Sequence, residues 1–418
     1  MPMGPIDAGP HSVQETFHVA GVFLARLARK LQRHVLHRKL ANMSWRMSTT
    51  FSGALMPEIA ARALRKAIID WSGGSIVPSI VWGHFADKDP DSQKVTRVLG
   101  VDRCHFRDVM EWMVDKHCDL IGTPPAEHAM HSRAWCSAHQ RYCASPIAEL
   151  VDDILDVEVA GPPCPPWSKM GKQRGQSDPR FRFHQIWILM VRRRRPGIII
   201  FENVDTYPVT LLFQSLGDLY EIRCCKVSPQ NFGFALHRVR VFAIMTLRSK
   251  MRWTVALPLE SLLFDLAASV VMTGADYFVN QDAGSYRMLL PGERKHLQQY
   301  ETLPTSHRLH NAEVWDLHQS TKRAMGSVRG GALPTLKRSC GSLFLRSRSE
   351  LLSPLQALRS MGFPTTKMDC EACDVNAVDF DALAIRPAGQ CNLAGNAMHM
   401  PCILAMLIIA AVYVEKLA

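Results

Sequence analysis

The sequence predicts an α/β protein built on a doubly wound, mostly parallel sheet, and three stretches carry that prediction. Residues 198–204, Ile-Ile-Ile-Phe-Glu-Asn-Val, place four apolar residues in a row before two polar ones. Such a run reads as a strand buried on both faces of a parallel sheet. Residues 157–160, Val-Glu-Val-Ala, form a second short strand that runs into Gly161-Pro162-Pro163. Residues 50–64 read as strand end, turn and helix, with Pro57 suited to a first helical turn and Glu58 to its positive end. Ligand crevices in open α/β sheets lie at the carboxyl ends of such strands.

Composition bounds the rest. A chain of 418 residues with 47% hydrophobic residues can bury a core in a catalytic domain and a smaller second one, and global disorder is excluded. Lys and Arg total 49 against 38 acids, a formal charge of +11. That excess favours a polyanionic partner without giving a fold or a sequence preference. The 12 cysteines show no disulfide-framework spacing and no secretory signal is evident, so a reducing compartment is expected. The apolar run 402–414 is shorter than the roughly 20 residues that span a bilayer, so no membrane partner is expected.

In chain order, residues 1–48 form a basic N-terminal extension. Residues 1–13, with Pro and Gly, read as loose. In 17–47, Leu24, Leu27, Leu31 and Val35 recur at helical spacing among Arg26, Arg29, Lys30, Arg33, Arg38 and Lys39. A helix packed on the domain, a nucleic-acid arm, a nuclear address and an organelle transit peptide all fit. Residues 80–85 form a strand with Asp87 at its end, where an acid of a doubly wound sheet accepts hydrogen bonds from a ribose. Residues 104–109 form a third strand with Asp108 at its end. Residues 111–150 are an insertion carrying Cys118, His128, His131, Cys136, His139 and Cys143. Zinc can be argued from these types, yet no CxxC or HxxxH pair organises them, and buried thiols with exposed histidines is the preferred reading. No metal site is expected, nor one at the lone pair Cys370 and Cys373.

The segment 161–169, Gly-Pro-Pro-Cys-Pro-Pro-Trp-Ser-Lys, is the chemical anchor. Proline fixes φ and donates no backbone hydrogen bond, so this loop is neither helix nor interior strand. It presents Cys164 rigidly at a strand's carboxyl end, the position of a nucleophile. Residues 171–182 read as a mobile basic loop, and 183–191 as a helix ending in Arg192 to Arg195, which suit its dipole and could face phosphate. Glu202 and Asn203 then stand at the end of a buried strand, on the same rim as Cys164. Residues 220–246 read as two strands around Asn231-Phe232-Gly233, with Arg238 and Arg240 on one face. The pattern weakens over 248–341. Residues 351–364 read as a helix capped by Ser353, with Pro354 first and Gly362 at its end. Asn396 precedes a buried apolar helix within 393–414.

Taken in order, Phe51 and Gly53, Asp87, Asp108, Pro162-Pro163-Cys164, Glu202-Asn203-Val204, Arg238 and Arg240, and Asn396 resemble the motifs of the DNA cytosine-5 methyltransferases. The chain departs from them at Leu55, where a glycine is usual, at Pro165 and Trp167, and at Leu236, where a glutamine is usual. The resemblance implies an S-adenosylmethionine-dependent methyltransferase fold, Rossmann-like, with a small, irregular target-recognition domain. The implied organisation is a catalytic domain over 49–247, a recognition region over 248–341 and a return to the catalytic domain over 342–418. The implied activity is methyl transfer from S-adenosylmethionine to C5 of a flipped-out cytosine in double-stranded DNA. Cys164, Glu202, Arg238 and Arg240 would be catalytic. Phe51, Gly53, Glu58, Asp87, Asp108, Pro162 and Asn396 would hold the cofactor, and Pro163, Ser168, Asn203 and Arg240 the substrate. A nuclear location is expected, with organelle targeting by the basic N-terminal extension as the alternative. The alternatives are a nucleic-acid-binding pseudoenzyme of the same fold, suggested by Leu55, Lys88 and Leu236, a tRNA methyltransferase, and a zinc-dependent binding protein.

Overall fold

The computed structural model describes residues 7–99, 103–115, 130–147, 154–169, 171–279, 287–322, 331–338 and 342–417. Cys118 and His128 lie outside them. Among the described residues, nine strands form one sheet: β1 (Ser44–Thr50), β2 (Ser79–Ala86), β3 (Cys104–Phe106), β4 (Arg133–Cys136), β5 (Arg141–Ala144), β6 (Leu155–Ala160), β7 (Ile198–Val204), β8 (Tyr220–Val227) and β9 (Arg240–Leu247). Their order is β5-β4-β3-β2-β1-β6-β7-β9-β8. The five central strands pair in parallel, and both flanks are antiparallel.

The apolar run of β7 has the physical consequence the sequence implies. Ile198 and Ile200 enter one core with α1 (Val19–Leu31), α2 (Arg33–Ala41), α3 (Met56–Trp71) and the helix Met400–Tyr413. Ile199 and Phe201 enter the other, with Trp187 and Met190 of a fifth helix on the opposite face. Side chains alternate along a strand, so a strand covered on both faces must be apolar at consecutive positions.

Several expectations change. The N-terminal helix is two helices, because Gln32 takes φ +63° between α1 and α2. Leu36, not Val35, continues the buried face. Arg26 is buried and donates to the Leu266 and Ala8 carbonyls and to Asp7, so part of the basic face is structural. Residues 7–13 are docked rather than loose. Gly9 donates its N–H to the Ser269 carbonyl at 2.8 Å, and a Cβ there would lie 2.6 Å from the Gly233 Cα. The apolar C-terminal segment is also two helices, Pro387–Asn396 and Met400–Tyr413. The span Pro387–Tyr413 is long and apolar enough to cross a membrane by composition, but its apolar window is 83% buried inside this fold. Its second helix packs on α3, burying residues all round.

A second, three-stranded sheet has strands on both sides of residue 341. Val314–Asp316 pairs with Leu343–Leu345, which pairs with Glu350–Leu351, over a cluster that includes Tyr300, Trp315 and Phe344. The loop around Leu333 bridges the segment that precedes β9, where Leu333 accepts the His237 N–H and donates to Ala235. Leu236, at the usual glutamine position, is fully buried there.

Candidate active site

Strand register assembles the site. Phe106 lies opposite Ala86, Ala86 opposite Thr50, Thr50 opposite Ala160, and Ala160 opposite Phe201. The next residues Arg107, Asp87, Phe51 and Gly161 therefore leave the sheet at one rim, and Glu202 stands level with them on β7, which continues to Val204 beside β9. Strand order reverses between β1 and β6, which is where α/β sheets open a crevice. A cleft of about 390 Å³ lies there, lined among others by Phe51, Gly53, Asp87, Asp108, Pro162, Pro163, Cys164, Glu202, Arg238, Arg240 and Asn396. That volume lies within the usual range for small-ligand sites. Ten of those eleven positions come from six separate stretches of sequence, and the fold brings them to one cavity with the eleventh, Asn396.

The Cys164 loop is held from both sides. Trp167 and Ser168 donate their N–H groups to the Cys164 carbonyl at 3.0 Å, making a tight turn. Trp167 meets Phe181 and Tyr207 edge-on, with ring centroids 5.8 and 5.7 Å apart. These belong to an aromatic group completed by His184, Trp187 and Phe201. Burial pushes the His184 imidazole pKa down to about 3, so it is neutral and free to bond the Tyr207 hydroxyl. The following segment is tied down rather than loose. Gly175 donates to the Pro166 carbonyl, and Asp178 is buried and paired with Arg180.

Glu202 and Arg240 face each other from adjacent strands, with Arg240 Nε 3.1 Å from Glu202 Oε1. Both side chains are largely enclosed, at 12% and 14% exposure, so the pair is weakly screened. Asn203 turns away from the cleft. It is buried and donates to the Pro162 carbonyl at 3.1 Å, which locks the Cys164 loop to β7. Ser168 is likewise outside the cleft lining. Arg238 lines the cleft, but its guanidinium donates to the carbonyls of Ala397, Gly395 and Leu336. It clamps the segments around Leu336 and around residues 395–397 to the residues that lead into β9. Burial, with Arg240 beside it, brings its pKa down to about 9.

On the other half of the cleft, Asp87 accepts the Gly53 N–H and the Asp89 N–H at 2.9 Å each. Burial raises its carboxyl pKa to about 6, against those hydrogen bonds. Asp108 accepts the Met110 N–H. Asn396 donates to Asn392 and accepts from Arg338. Arg338 and Asn392 also line the cleft, and no motif in the sequence marked them. Glu58 is a correction. Its carboxylate is fully enclosed, bonded to Thr49 Oγ1 and ion-paired with Arg103 at 2.6 Å, away from the cleft. The helix turn after Leu55 points it back under the sheet. The arginine run at the end of α5 (Phe181–Arg194) is also partly consumed: Arg194 pairs with Asp156 and Glu158, and Arg192 with Asp218.

Leu55 keeps the backbone that a glycine would take. It caps α3 in the left-handed region, φ +63° and ψ 26°, yet its side chain is fully buried in the core and does not line the cleft. The conformation costs about 1–2 kcal/mol. Removing a buried leucine side chain costs about 2–5 kcal/mol. The second effect wins, so Leu55→Gly is expected to lower unfolding free energy by about 1–3 kcal/mol. Denaturant titration measures this, and a stabilised variant would mean that backbone strain dominates.

Comparison with known proteins agrees with this geometry. Residues 144–366, just over half of the chain, match the family model for C-5 cytosine-specific DNA methylase. The chain is 34% identical over 97 residues to the Type II methyltransferase M.HgiBI of Herpetosiphon aurantiacus, covering 21% of this chain and 22% of that protein. It is 29% identical over 103 residues to a human tRNA (cytosine(38)-C(5))-methyltransferase, covering 23% and 26%. These matches span about a quarter or less of those relatives. The fold resembles the crystal structure of the S. pombe Dnmt2 methyltransferase, with a TM-score of 0.51 and 13% identity over 87% of this chain and 97% of that one. With its register-built cleft and the match over residues 144–366, this chain belongs to the C-5 cytosine-specific DNA methylase family.

Proposed function

We propose that the protein transfers a methyl group from S-adenosylmethionine to C5 of a cytosine in DNA. The observation that carries this reading is that Cys164, Glu202 and Arg240, brought from three strands or their loops, face one cleft. Cytosine C5 is a poor nucleophile until a thiolate adds to C6. Cys164 forms that S–C6 bond, and the ring electrons move to C5. Cys164 attacks as the thiolate, the nucleophilic form of cysteine. Glu202 hydrogen-bonds the base at N3 and so draws the electrons along. Arg240 orients Glu202 and steadies charge on the base. After methylation the C5 proton leaves to a base, the S–C6 bond breaks and the thiolate is regenerated. A stacked cytosine cannot reach this cleft, so the base must be flipped out.

The chain's residues fit the cofactor. A Cβ at Gly53 would come 3.3 Å from the Asn396 carbonyl oxygen, and one at Gly161 only 2.7 Å from Met398 Cε. Glycine at both positions lets residues 396–398 close over the strand ends that line the cleft. Asp87 and Asp108, at the ends of neighbouring strands, offer acceptors for sugar hydroxyls and a base amine. Asn396, Phe51 and Pro162 complete the wall. When bound, S-adenosylmethionine supplies an electrophilic sulfonium methyl group.

RNA is the second reading, favoured by the partial similarity to the human tRNA enzyme. Methyl transfer from labelled S-adenosylmethionine to duplex DNA and to tRNA, measured side by side, decides between them. Incorporation into DNA is expected. Incorporation into tRNA alone would move the substrate to RNA, and cofactor binding without transfer to either would favour a pseudoenzyme.

A further inference from the structure

We propose that Cys104, Cys136, His139 and Cys143 bind one zinc ion, which pins the β4–β5 hairpin to β3. This inference is independent of the methyl-transfer reading. The four residues converge at one edge of the sheet: Cys104 opens β3, Cys136 ends β4, Cys143 lies in β5 and His139 in the turn between them. Their ligand atoms all lie within 4.8 Å of one another. His139 Nδ1 is 3.3 Å from Cys136 Sγ, 3.4 Å from Cys143 Sγ and 3.7 Å from Cys104 Sγ.

One ring nitrogen has a single hydrogen or a single lone pair, so these three contacts cannot all be hydrogen bonds. A cation at their centre accounts for all of them. Zn–S bonds of about 2.3 Å and Zn–N bonds of about 2.0–2.1 Å, in a tetrahedron, put each sulfur–nitrogen edge near 3.6 Å. The three observed separations bracket that value. Cys136 Sγ also accepts the backbone N–H groups of His105, at 3.2 Å, and His139, at 3.5 Å. Amide donors aimed at sulfur stabilise a thiolate and orient it toward a metal. Three thiolates and an imidazole are soft donors that select zinc over magnesium or calcium. Four protein ligands fill the tetrahedron, so the ion is structural.

The hairpin needs such a tether. β4 and β5 have four residues each and β3 three, and one strand pair, Phe106 with Cys136, joins hairpin to sheet among the described residues. A hairpin this short is not stable by itself, and a bound metal contributes its binding free energy to folding. β3 leads directly to Asp108 on the cleft rim, so the ion would fix that edge of the cleft.

The test uses the full chain, purified without a metal-affinity tag. Elemental analysis is expected to find about one zinc per chain. Cys136→Ser and His139→Ala should each lower the zinc content about tenfold or more, while Cys224→Ser should retain it. Chelation should speed amide hydrogen exchange in residues 133–144, and added zinc should restore protection. Should Cys136→Ser fail to fold, His139→Ala decides the matter, because that side chain is exposed. Cobalt-loaded protein gives its second readout, a thiolate-to-metal absorption that His139→Ala should weaken. The proposal is overturned if reduced full-length protein neither carries zinc nor takes it up, or if the native protein holds a disulfide among these cysteines.

Discussion

Replacing Cys164 with alanine is expected to cut methyl transfer by at least about a thousandfold, because removing a covalent nucleophile removes the step that activates C5. Among the described residues, the cleft lining contains no other thiol to take over. Cys402 and Cys225, the nearest candidates by chemistry, are buried, and burial raises both thiols above their ordinary pKa. Stability should hardly change. Cys164 is only partly buried, and its loop is positioned by neighbours: Trp167 in the aromatic group and Asn203 on the Pro162 carbonyl. The direct measurement is covalent capture on DNA containing 5-fluorocytosine, since a fluorine at C5 prevents the release step. The parent protein should form a stable adduct with cofactor present, and Cys164→Ala should form none. An adduct of equal yield in the variant would place the nucleophile elsewhere.

The largest stability effect is expected at the buried pair Glu58–Arg103. Both side chains are at most 2% exposed, with Arg103 packed over the rings of Trp82 and Phe85. Desolvation lowers the Arg103 pKa, and the Glu58 carboxylate beside it opposes that shift. Arg103→Met leaves Glu58 with a buried charge and no counter-ion, at a cost of about 3–5 kcal/mol. Thr49 Oγ1 would still donate to it, but a hydroxyl does not offset a full charge. The double replacement Glu58→Met with Arg103→Met removes both charges and fills similar volume. It should recover most of the loss, within about 1–2 kcal/mol of the parent. Chemical denaturation of the three variants forms a double-mutant cycle. Additive losses would show that the two groups are not coupled and that the pair is not what stabilises this corner.

Strands and loops with their own local chemistry were readable in the chain. The limits of β7 match the stretch 198–204 with its apolar start, because an element buried on both faces needs no partner to reveal itself. The Cys164 loop was readable because prolines dictate backbone geometry locally. Of the helical stretch expected over 17–47, residues 19–41 are helical with a break at Gln32 that nothing in that residue's chemistry requires, and residues 44–47 instead open β1. Glu58 looked like a helix-end acid facing a ligand. Its actual partner, Arg103, is distant in sequence, and no local rule links them.

The same division applies to the site and to the metal cluster. Which residues carry chemistry near the carboxyl ends of strands was set by local sequence: Cys164, Asp87 and Asp108 each follow a strand that announces itself, and Glu202 lies among the last residues of β7. Which of them meet, and what joins them, was decided by register. Arg338 and Asn392 enter the cleft only because distant segments close over it, and Arg238 becomes a clamp because three carbonyls converge on it. Cys136, His139 and Cys143 were visible as ligand types, but Cys104 joins them only through pairing of β3 with β4. Hydrophobic periodicity and backbone restrictions act within a few residues, whereas strand order and side-chain convergence depend on the packing of the whole core. A linear chain therefore states its elements and leaves their meeting points to the fold.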